Sequence, residues 1–352
     1  MDRLRDTFVS GKREDTSLEA ILRRHWPEWN GTLQRRTGGW NNTTYFVKSG
    51  GRSGVLRVYD THRDRDKIEF EHAVLQELSK HSLSFRIPQP IPTVTGETLA
   101  QLEKESGKYV CLFKYIEGIS PLEQDSSFAY SLGETTGELS TVLATFNLDM
   151  TPVYRPYYAL QQSYPVCNRE TVQGFCLHPP EPLKDLHEEL RLIGAAYEEI
   201  TDSLHALEEL PHQLVHGDLN ASNLLVKDSD HSLVTALLDF EFCTLDVRVM
   251  EPAVILSGFL GQPEETTAVR DFCRGFSRQV HLSHTEIDAL PILMLLRKVD
   301  VFLHFLSRFL EGTDQSHVLQ EQVKQIAADL LQLSTSSSWI QEELVQAGTV
   351  YE

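Results

Sequence analysis

The sequence predicts an α+β fold with two lobes: a small N-terminal antiparallel β lobe with a helix, and a large, mainly helical C-terminal lobe. Three observations support this prediction. The chain has 352 residues and is 41% hydrophobic, so it is long enough to form two separate cores. Strand-like segments cluster before residue 117, and helical periodicity dominates after residue 183. The expected lobes are therefore 1–116 and 117–352.

The N-terminal lobe should begin with a short helix and continue as a β-hairpin. Apolar residues recur at helical spacing near the start, and two strand-like segments flank a glycine-containing turn. Prolines at 88, 90 and 92 exclude a helix there and favour an extended segment. The expected elements are a helix over 18–26, strands over 43–48 and 55–59, a helix over 67–80 and a strand over 109–116.

The C-terminal lobe is predicted to be helical on both sides of one irregular segment. Helical patterning covers 128–148, 183–210 and most of 254–333, whereas 151–182 is rich in proline, tyrosine and polar residues. Insertions of this kind commonly shape a substrate cleft. The most apolar segment, 290–296, is too short to span a bilayer and should be a buried helix.

One segment contains residues of the types that catalyse reactions. Residues 216–223 read His-Gly-Asp-Leu-Asn-Ala-Ser-Asn, and Asp239 follows after a predicted hairpin. Phosphoryl transfer needs a carboxylate beside the attacking hydroxyl and oxygen ligands for Mg²⁺. Asp218, Asn223 and Asp239 provide these groups, and the five-residue interval between Asp218 and Asn223 is typical of a kinase catalytic loop. The sequence therefore predicts a phosphotransferase.

This segment resembles the aminoglycoside phosphotransferase and choline kinase superfamily, because His-Gly-Asp replaces the His-Arg-Asp of protein kinases. Homoserine kinase-like members look nearest. The resemblance implies a two-lobed protein-kinase-like fold that uses ATP or GTP with Mg²⁺. It implies that Asp218 is the catalytic base, that His216 braces the catalytic loop, and that Asn223 and Asp239 bind the metal. Glu251 lies where the family shows an aspartate and should accept hydrogen bonds from the loop backbone.

The resemblance also implies nucleotide-binding residues in the N-terminal lobe. Gly38, Gly39 and Asn42 belong to a segment expected to cover the phosphates, since glycines allow close backbone approach. Arg57 occupies the position of the kinase lysine that contacts phosphate, and Glu71 is its expected partner, with Glu69 and Glu77 as alternatives. The connector expected to meet the nucleotide base contains Lys114, Tyr115 and Ile116.

Composition limits the possible partners. Acidic residues number 51 and basic residues 32, and the net charge of −19 argues against nonspecific binding to nucleic acid or to an anionic membrane. Five scattered cysteines indicate neither a disulfide framework nor a zinc site. They suit the reducing cytoplasm, and the charged N-terminus lacks the apolar core of a signal peptide. The expected partners are a nucleotide and a small hydroxylated acceptor.

Two alternatives remain open at this point. The chain could be a catalytically weak nucleotide-binding regulator with a kinase fold, since Arg57, Ser140 and Glu251 depart from the usual residues. A protein kinase is less consistent with the sequence, because Asp-Phe-Gly and Ala-Pro-Glu are missing after Asp239. The favoured acceptor is an amino alcohol or hydroxy amino acid of the homoserine or choline type, or an aminoglycoside.

Overall fold

The computed structural model describes residues 17–36, 42–60, 64–102, 107–122, 125–348 and 350–351. The chain divides into two compact units, Met1–Lys80 with Arg86–Glu117, and His81–Phe85 with Gly118–Glu352. Within the described ranges, no helix is both long enough and apolar enough to cross a membrane.

The first unit is a five-stranded antiparallel sheet with helices. Its strand order is β1-β2-β3-β5-β4. The buried residues of the first helix pack with those of β2, β3 and β5 in one apolar core. The elements are α1 over 17–25, β1 Thr32–Arg36, β2 Asn42–Ser49, β3 Arg52–Tyr59, α2 Arg65–Leu78, β4 Ala100–Gln101 and β5 Tyr109–Lys114.

The hairpin between β2 and β3 is tighter than the sequence suggested. Ser49 pairs with Arg52, so the turn contains only Gly50 and Gly51, whose φ angles are 55° and 80°. Positive φ at both central residues is what a two-residue hairpin turn of type I′ requires. The expected turn over 49–54 was therefore too long, and Gly54 lies within β3, where an added Cβ would come 2.9 Å from Trp29.

The second unit contains eight α-helices and two short antiparallel pairs, β6 with β9 and β7 with β8, among the residues that are described. A third pair, β10 with β11, is parallel. The elements are α3 Ala129–Leu143, α4 Leu160–Ser163, α5 Arg169–Leu177, α6 His187–Leu207, β6 His212–Val215, β7 Leu224–Lys227, β8 Asp230–Leu237, β9 Thr244–Val247, α7 Met250–Phe259, α8 Glu265–Phe276, β10 Leu282–Ser283, α9 His284–Leu310, α10 Ser316–Gln346 and β11 Val350–Tyr351; α4 is a single turn.

Glycines allow α3 and α8 to approach closely. A Cβ added to Gly133 would lie 2.2 Å from the carbonyl oxygen of Phe272, and one added to Gly275 would lie 2.2 Å from that of Tyr130. Real Cβ atoms do not approach backbone oxygens so closely, so any larger residue would force the two helices apart.

The apolar segment around Pro291 lies inside α9, as a buried helix in agreement with the prediction. Proline has no N–H, so it cannot donate to the carbonyl of Ile287 four residues earlier. Nε2 of Gln341 in α10 donates to that oxygen instead, at 2.9 Å. A side chain from the neighbouring helix thus satisfies the acceptor that Pro291 leaves open.

Candidate active site

The end of the β7–β8 hairpin brings two of the predicted site residues together. Leu224 pairs with Leu237, and the amide of Leu238 donates to the carbonyl of Asn223 at 2.8 Å. Asp239 follows directly, with φ 65° and ψ 63° in the left-handed region. Aspartate tolerates this conformation better than most residues. Strand pairing therefore fixes Asn223 and Asp239 beside each other at one edge.

The side chain of Asn223 is directed by Asp218. Its Nδ2 donates to the backbone oxygen of Asp218 at 2.8 Å and to the Oδ2 of the same residue at 3.0 Å. Oδ1 accepts a long hydrogen bond from the hydroxyl of Ser222, at 3.4 Å, and is the Asn223 atom suited to a cation. The five-residue interval seen in the sequence thus closes a compact loop that carries both side chains.

His216 links the catalytic loop to the strand end that precedes Asp239. Its ring is buried; Nδ1 accepts from the amide of Asp218 at 3.3 Å, so Nε2 carries the proton and donates to the carbonyl of Leu238 at 2.9 Å. Burial lowers the pKa of His216, although Asp218 and Asp239 act in the opposite direction. A neutral imidazole meets both hydrogen-bonding demands, which suits a brace.

Glu251, in the first turn of α7, accepts from the amide of His216 at 2.5 Å. The prediction that this glutamate accepts hydrogen bonds from the loop backbone is confirmed. Burial raises the pKa of Glu251 to about 7, and the backbone bonds from His216 and Gly217 partly offset that rise. Gly217 itself has a φ of 81°, which a residue with a Cβ rarely adopts.

A cationic side chain that the sequence analysis did not identify lies against Asp218. Nη2 of Arg297, in α9, is 2.6 Å from Oδ1 of Asp218, and its Nη1 donates to the hydroxyl of Tyr157 at 2.9 Å. Asp300 lies one turn further along the helix, with Oδ2 3.6 Å from the same Nη1, and accepts from Tyr164 at 2.8 Å. Burial raises the pKa of Asp300 to about 6, and Arg297 counteracts this.

Two signals in the sequence could have pointed to this cluster. Arg297 and Asp300 interrupt the apolar face of a helix at a spacing of three residues, which places them on one side. Tyr157 and Tyr164 belong to the irregular segment 151–182, which was expected to shape a substrate cleft.

In the first unit, the predicted pairing of Arg57 with Glu71 is confirmed. Nη1 of Arg57 in β3 lies 3.0 Å from Oε1 of Glu71 in α2, and the side chains are 14% and 1% exposed. Tyr59 donates to the second carboxylate oxygen at 3.0 Å. The alternatives bind elsewhere: Glu69 pairs with Arg65 and Glu77 with Lys80.

The other predicted nucleotide-binding residues occupy different surroundings. Gly38 and Gly39 lie outside the described residues. Asn42 begins β2, and Lys114 ends β5 with its Nζ donating to Gln89 at 2.8 Å. Tyr115 is 41% exposed, and its ring meets Phe46 edge-on, while Ile116 is half-buried. Contact of these side chains with a nucleotide stays a prediction.

The oxygen ligands near the β7–β8 hairpin suit a metal ion that a nucleotide also binds. Within the described ranges, no group of three or more His, Cys, Asp or Glu side chains could hold a metal ion. Mg²⁺ commonly uses one or two protein carboxylates and takes its other ligands from water and substrate phosphates. An Asp239 carboxylate and an Asn223 amide oxygen form a partial set of this kind, so the residues present fit Mg²⁺ carried by a nucleotide.

Comparison with known proteins identifies the family. Residues 32–287 match the model of the phosphotransferase enzyme family, APH. A homoserine kinase of Brucella ovis is 23% identical over 274 residues, covering 75% of this chain and 76% of the relative. A homoserine kinase of Rhodopseudomonas palustris is 22% identical over 263 residues and covers 72% of both chains.

Solved structures show the same fold. A microcompartment-associated aminopropanol kinase aligns with a TM-score of 0.67 at 19% identity, covering 93% of this chain and 98% of the other. The amicoumacin kinase hAmiN, solved with AMP-PNP and Ca²⁺, also reaches 0.67 at 15% identity, covering 93% and 97%. The predicted kinase-like α+β fold and the predicted enzyme class are confirmed. The chain is a small-molecule kinase that belongs to the phosphotransferase enzyme family.

Proposed function

We propose that the protein transfers the γ-phosphate of ATP, or of GTP, to a hydroxyl group of a small amine-bearing acceptor. The acceptor is an amino alcohol or hydroxy amino acid of the homoserine or choline type, or an aminoglycoside. The observation that carries this proposal is the convergence of Asp218, Asn223 and Asp239 at one end of the β7–β8 hairpin. Relatives named homoserine kinase and aminopropanol kinase support an acceptor of this size.

In the proposed reaction, Asp218 is the base. The acceptor hydroxyl gives its proton to the Asp218 carboxylate while its oxygen bonds to the γ-phosphorus. The bond between that phosphorus and the bridging oxygen breaks, and the nucleoside diphosphate leaves. His216 holds the backbone of Asp218 and the strand end before Asp239 in register, so it positions both carboxylates without transferring a proton itself.

Asn223 and Asp239 would hold Mg²⁺, which offsets negative charge on the phosphates when it is bound. Arg57, fixed by Glu71, would contact phosphate oxygens, because a guanidinium offers planar N–H pairs that match them. The remaining proposed nucleotide contacts are Gly38, Gly39, Asn42, Lys114, Tyr115 and Ile116.

Residues 1–116 are proposed to bind the nucleotide, and residues 117–352 to supply the base and bind the acceptor. The five cysteines are all buried thiols. Thiols persist in a reducing compartment, so we place the protein in the cytoplasm.

Asparagine variants test this assignment. Asp218→Asn should lower kcat by about 10²- to 10⁴-fold, because the amide cannot accept the proton, with little change in nucleotide affinity. Asp239→Asn should weaken binding of Mg-ATP as well, since a carboxylate ligand is lost. Asp228→Asn, in the exposed turn at the other end of the same hairpin, is the matched control and should retain full activity.

The assay measures ADP release over a panel of amino alcohols, hydroxy amino acids, sugars and aminoglycosides, with Mg-ATP and Mg-GTP binding followed by thermal shift. Binding of nucleotide without turnover of any acceptor would favour the regulator. Full activity in the Asp218 and Asp239 variants would contradict the assignment of both residues.

A further inference from the structure

Arg297 and Asp300 form an oppositely charged pair next to the proposed base. Arg297 is 2.6 Å from Asp218, and the side chains of Arg297, Asp218 and Asp300 are 20%, 19% and 16% exposed. All three charged side chains are therefore partly exposed to solvent. Neither Arg297 nor Asp300 is required for proton abstraction or metal binding in the proposed reaction.

The geometry of Arg297 differs from that of a closed structural ion pair. Further along α9, Arg308 binds both carboxylate oxygens of Asp314, at 2.6 and 2.8 Å, in a bidentate pair within the chain. Arg297 instead makes single hydrogen bonds to Asp218 and Tyr157. Among the described residues, the other N–H groups of Arg297 have no hydrogen-bond acceptor, so they can bind a ligand anion.

Two tyrosines hold the charged pair in place. The hydroxyl of Tyr157 accepts from Arg297 and donates to the carbonyl of Gly217, in the catalytic loop, at 2.6 Å. The hydroxyl of Tyr164 donates to Asp300 at 2.8 Å. A binding site of this kind is preorganised, since the side chains are already fixed before the ligand arrives.

The charges of the pair select one class of acceptor. Once Asp218 is assigned to the hydroxyl proton, one cation and one anion remain at the same site. A purely cationic acceptor would leave the remaining N–H groups of Arg297 without an anion, and a purely anionic one would leave Asp300 without an ammonium. An acceptor with a carboxylate and an ammonium a few bonds from its hydroxyl satisfies both groups. Because Arg297 also touches Asp218, a carboxylate bound there would bring the hydroxyl close to the base.

We propose that Arg297 and Asp300 recognise the acceptor, and that the acceptor is a hydroxy amino acid whose carboxylate binds Arg297 and whose ammonium binds Asp300. This inference rests on the proposed phosphoryl transfer. It narrows the acceptor to a hydroxy amino acid and argues against amino alcohols and aminoglycosides.

Three matched acceptors test the inference in the full-length protein with Mg-ATP. L-homoserine carries both charges, 3-amino-1-propanol lacks the carboxylate, and 4-hydroxybutanoate lacks the ammonium. The wild-type kcat/KM for homoserine should exceed that for either analogue by at least about tenfold, since a site built to bond a charged group rejects a ligand that lacks it.

Each substitution of the pair should lower a different one of these two ratios. Arg297→Met should remove at least about tenfold of the preference for homoserine over 3-amino-1-propanol, and Asp300→Asn should remove the preference over 4-hydroxybutanoate. Arg308→Met, which breaks the scaffold pair on the same helix, should leave both ratios unchanged. The ratio separates recognition from a structural role, because a general disturbance of Asp218 would lower turnover of all three acceptors alike.

Binding measurements cover the case in which Arg297→Met folds poorly. Calorimetry of homoserine and 3-amino-1-propanol with Arg297→Lys, which keeps the charge and loses the planar fork, should show a reduced preference for homoserine. Unchanged ratios in the Arg297 and Asp300 variants would overturn the inference and leave the proposed function intact. Faster turnover of acceptors without a carboxylate than of homoserine would also overturn the inference and leave the proposed function intact. Absence of phosphoryl transfer to every acceptor tested would overturn both.

Discussion

Replacement of Glu251 by glutamine should change how the stability of the protein depends on pH. Glu251 is 1% exposed, and burial raises the pKa of its carboxyl from 4.5 to about 7. The folded protein therefore binds more protons than the unfolded chain between these values, so its stability falls as the pH rises through this window. Since one pKa unit corresponds to about 1.4 kcal/mol, Glu251 should cost the wild-type protein about 2 kcal/mol between about pH 5.5 and about pH 8.

Glutamine cannot ionise, but it keeps one oxygen to accept the amide of His216. The free energy of unfolding of Glu251→Gln should therefore fall less over the same pH range than that of the wild-type protein. Urea unfolding, followed by circular dichroism at both pH values, measures this. Titrating groups that lie far from Glu251 are common to the two proteins and cancel in the comparison. An equal change in both proteins would refute the reasoning.

Two further substitutions test the packing of the second unit. Gly133→Ala should lower the free energy of unfolding by about 1–3 kcal/mol, because its Cβ would lie 2.2 Å from the oxygen of Phe272. Gly174→Ala, with no atom within 4 Å of its Cβ, is the control and should stabilise by up to about 1 kcal/mol. Equal urea midpoints for Gly133→Ala and the wild-type protein would show that α3 and α8 can move apart without loss of stability. Asp329→Ala should destabilise by up to about 3 kcal/mol, because it removes the partner of Lys298, 2.7 Å away and largely buried. Recovery of the melting temperature in Lys298→Met with Asp329→Leu would confirm that the unpaired charge is the cause.

The grouping of the proposed catalytic residues could be predicted because their sequence pattern is local. Asp218 and Asn223 are five residues apart in one loop, and Asp239 follows one hairpin later, so the loop and the pairing of β7 with β8 bring the three together. The partner of Arg57 was also accessible, since a helix that follows a strand offers only a few acidic residues, and the structure selects Glu71.

Contacts between distant segments could not be predicted, even where a residue stands out in the sequence. Arg297 is 79 residues from Asp218 in the sequence, and only the packing of α9 brings its guanidinium to that carboxylate. The protonation of His216 likewise depends on two backbone groups that a motif does not reveal. The close approach at Gly133 depends on the path of α8, so the sequence shows only a glycine in a helix.

The contact between Pro291 and its neighbours has a consequence for how related chains can diverge. The carbonyl of Ile287 needs a donor only because residue 291 is proline, and Gln341 provides it from another helix. Positions 291 and 341 should therefore change together. A homologue with an ordinary helical residue at 291 restores the main-chain bond and frees position 341 to become apolar. One that keeps the proline must keep an amide, or another donor of similar reach, at position 341.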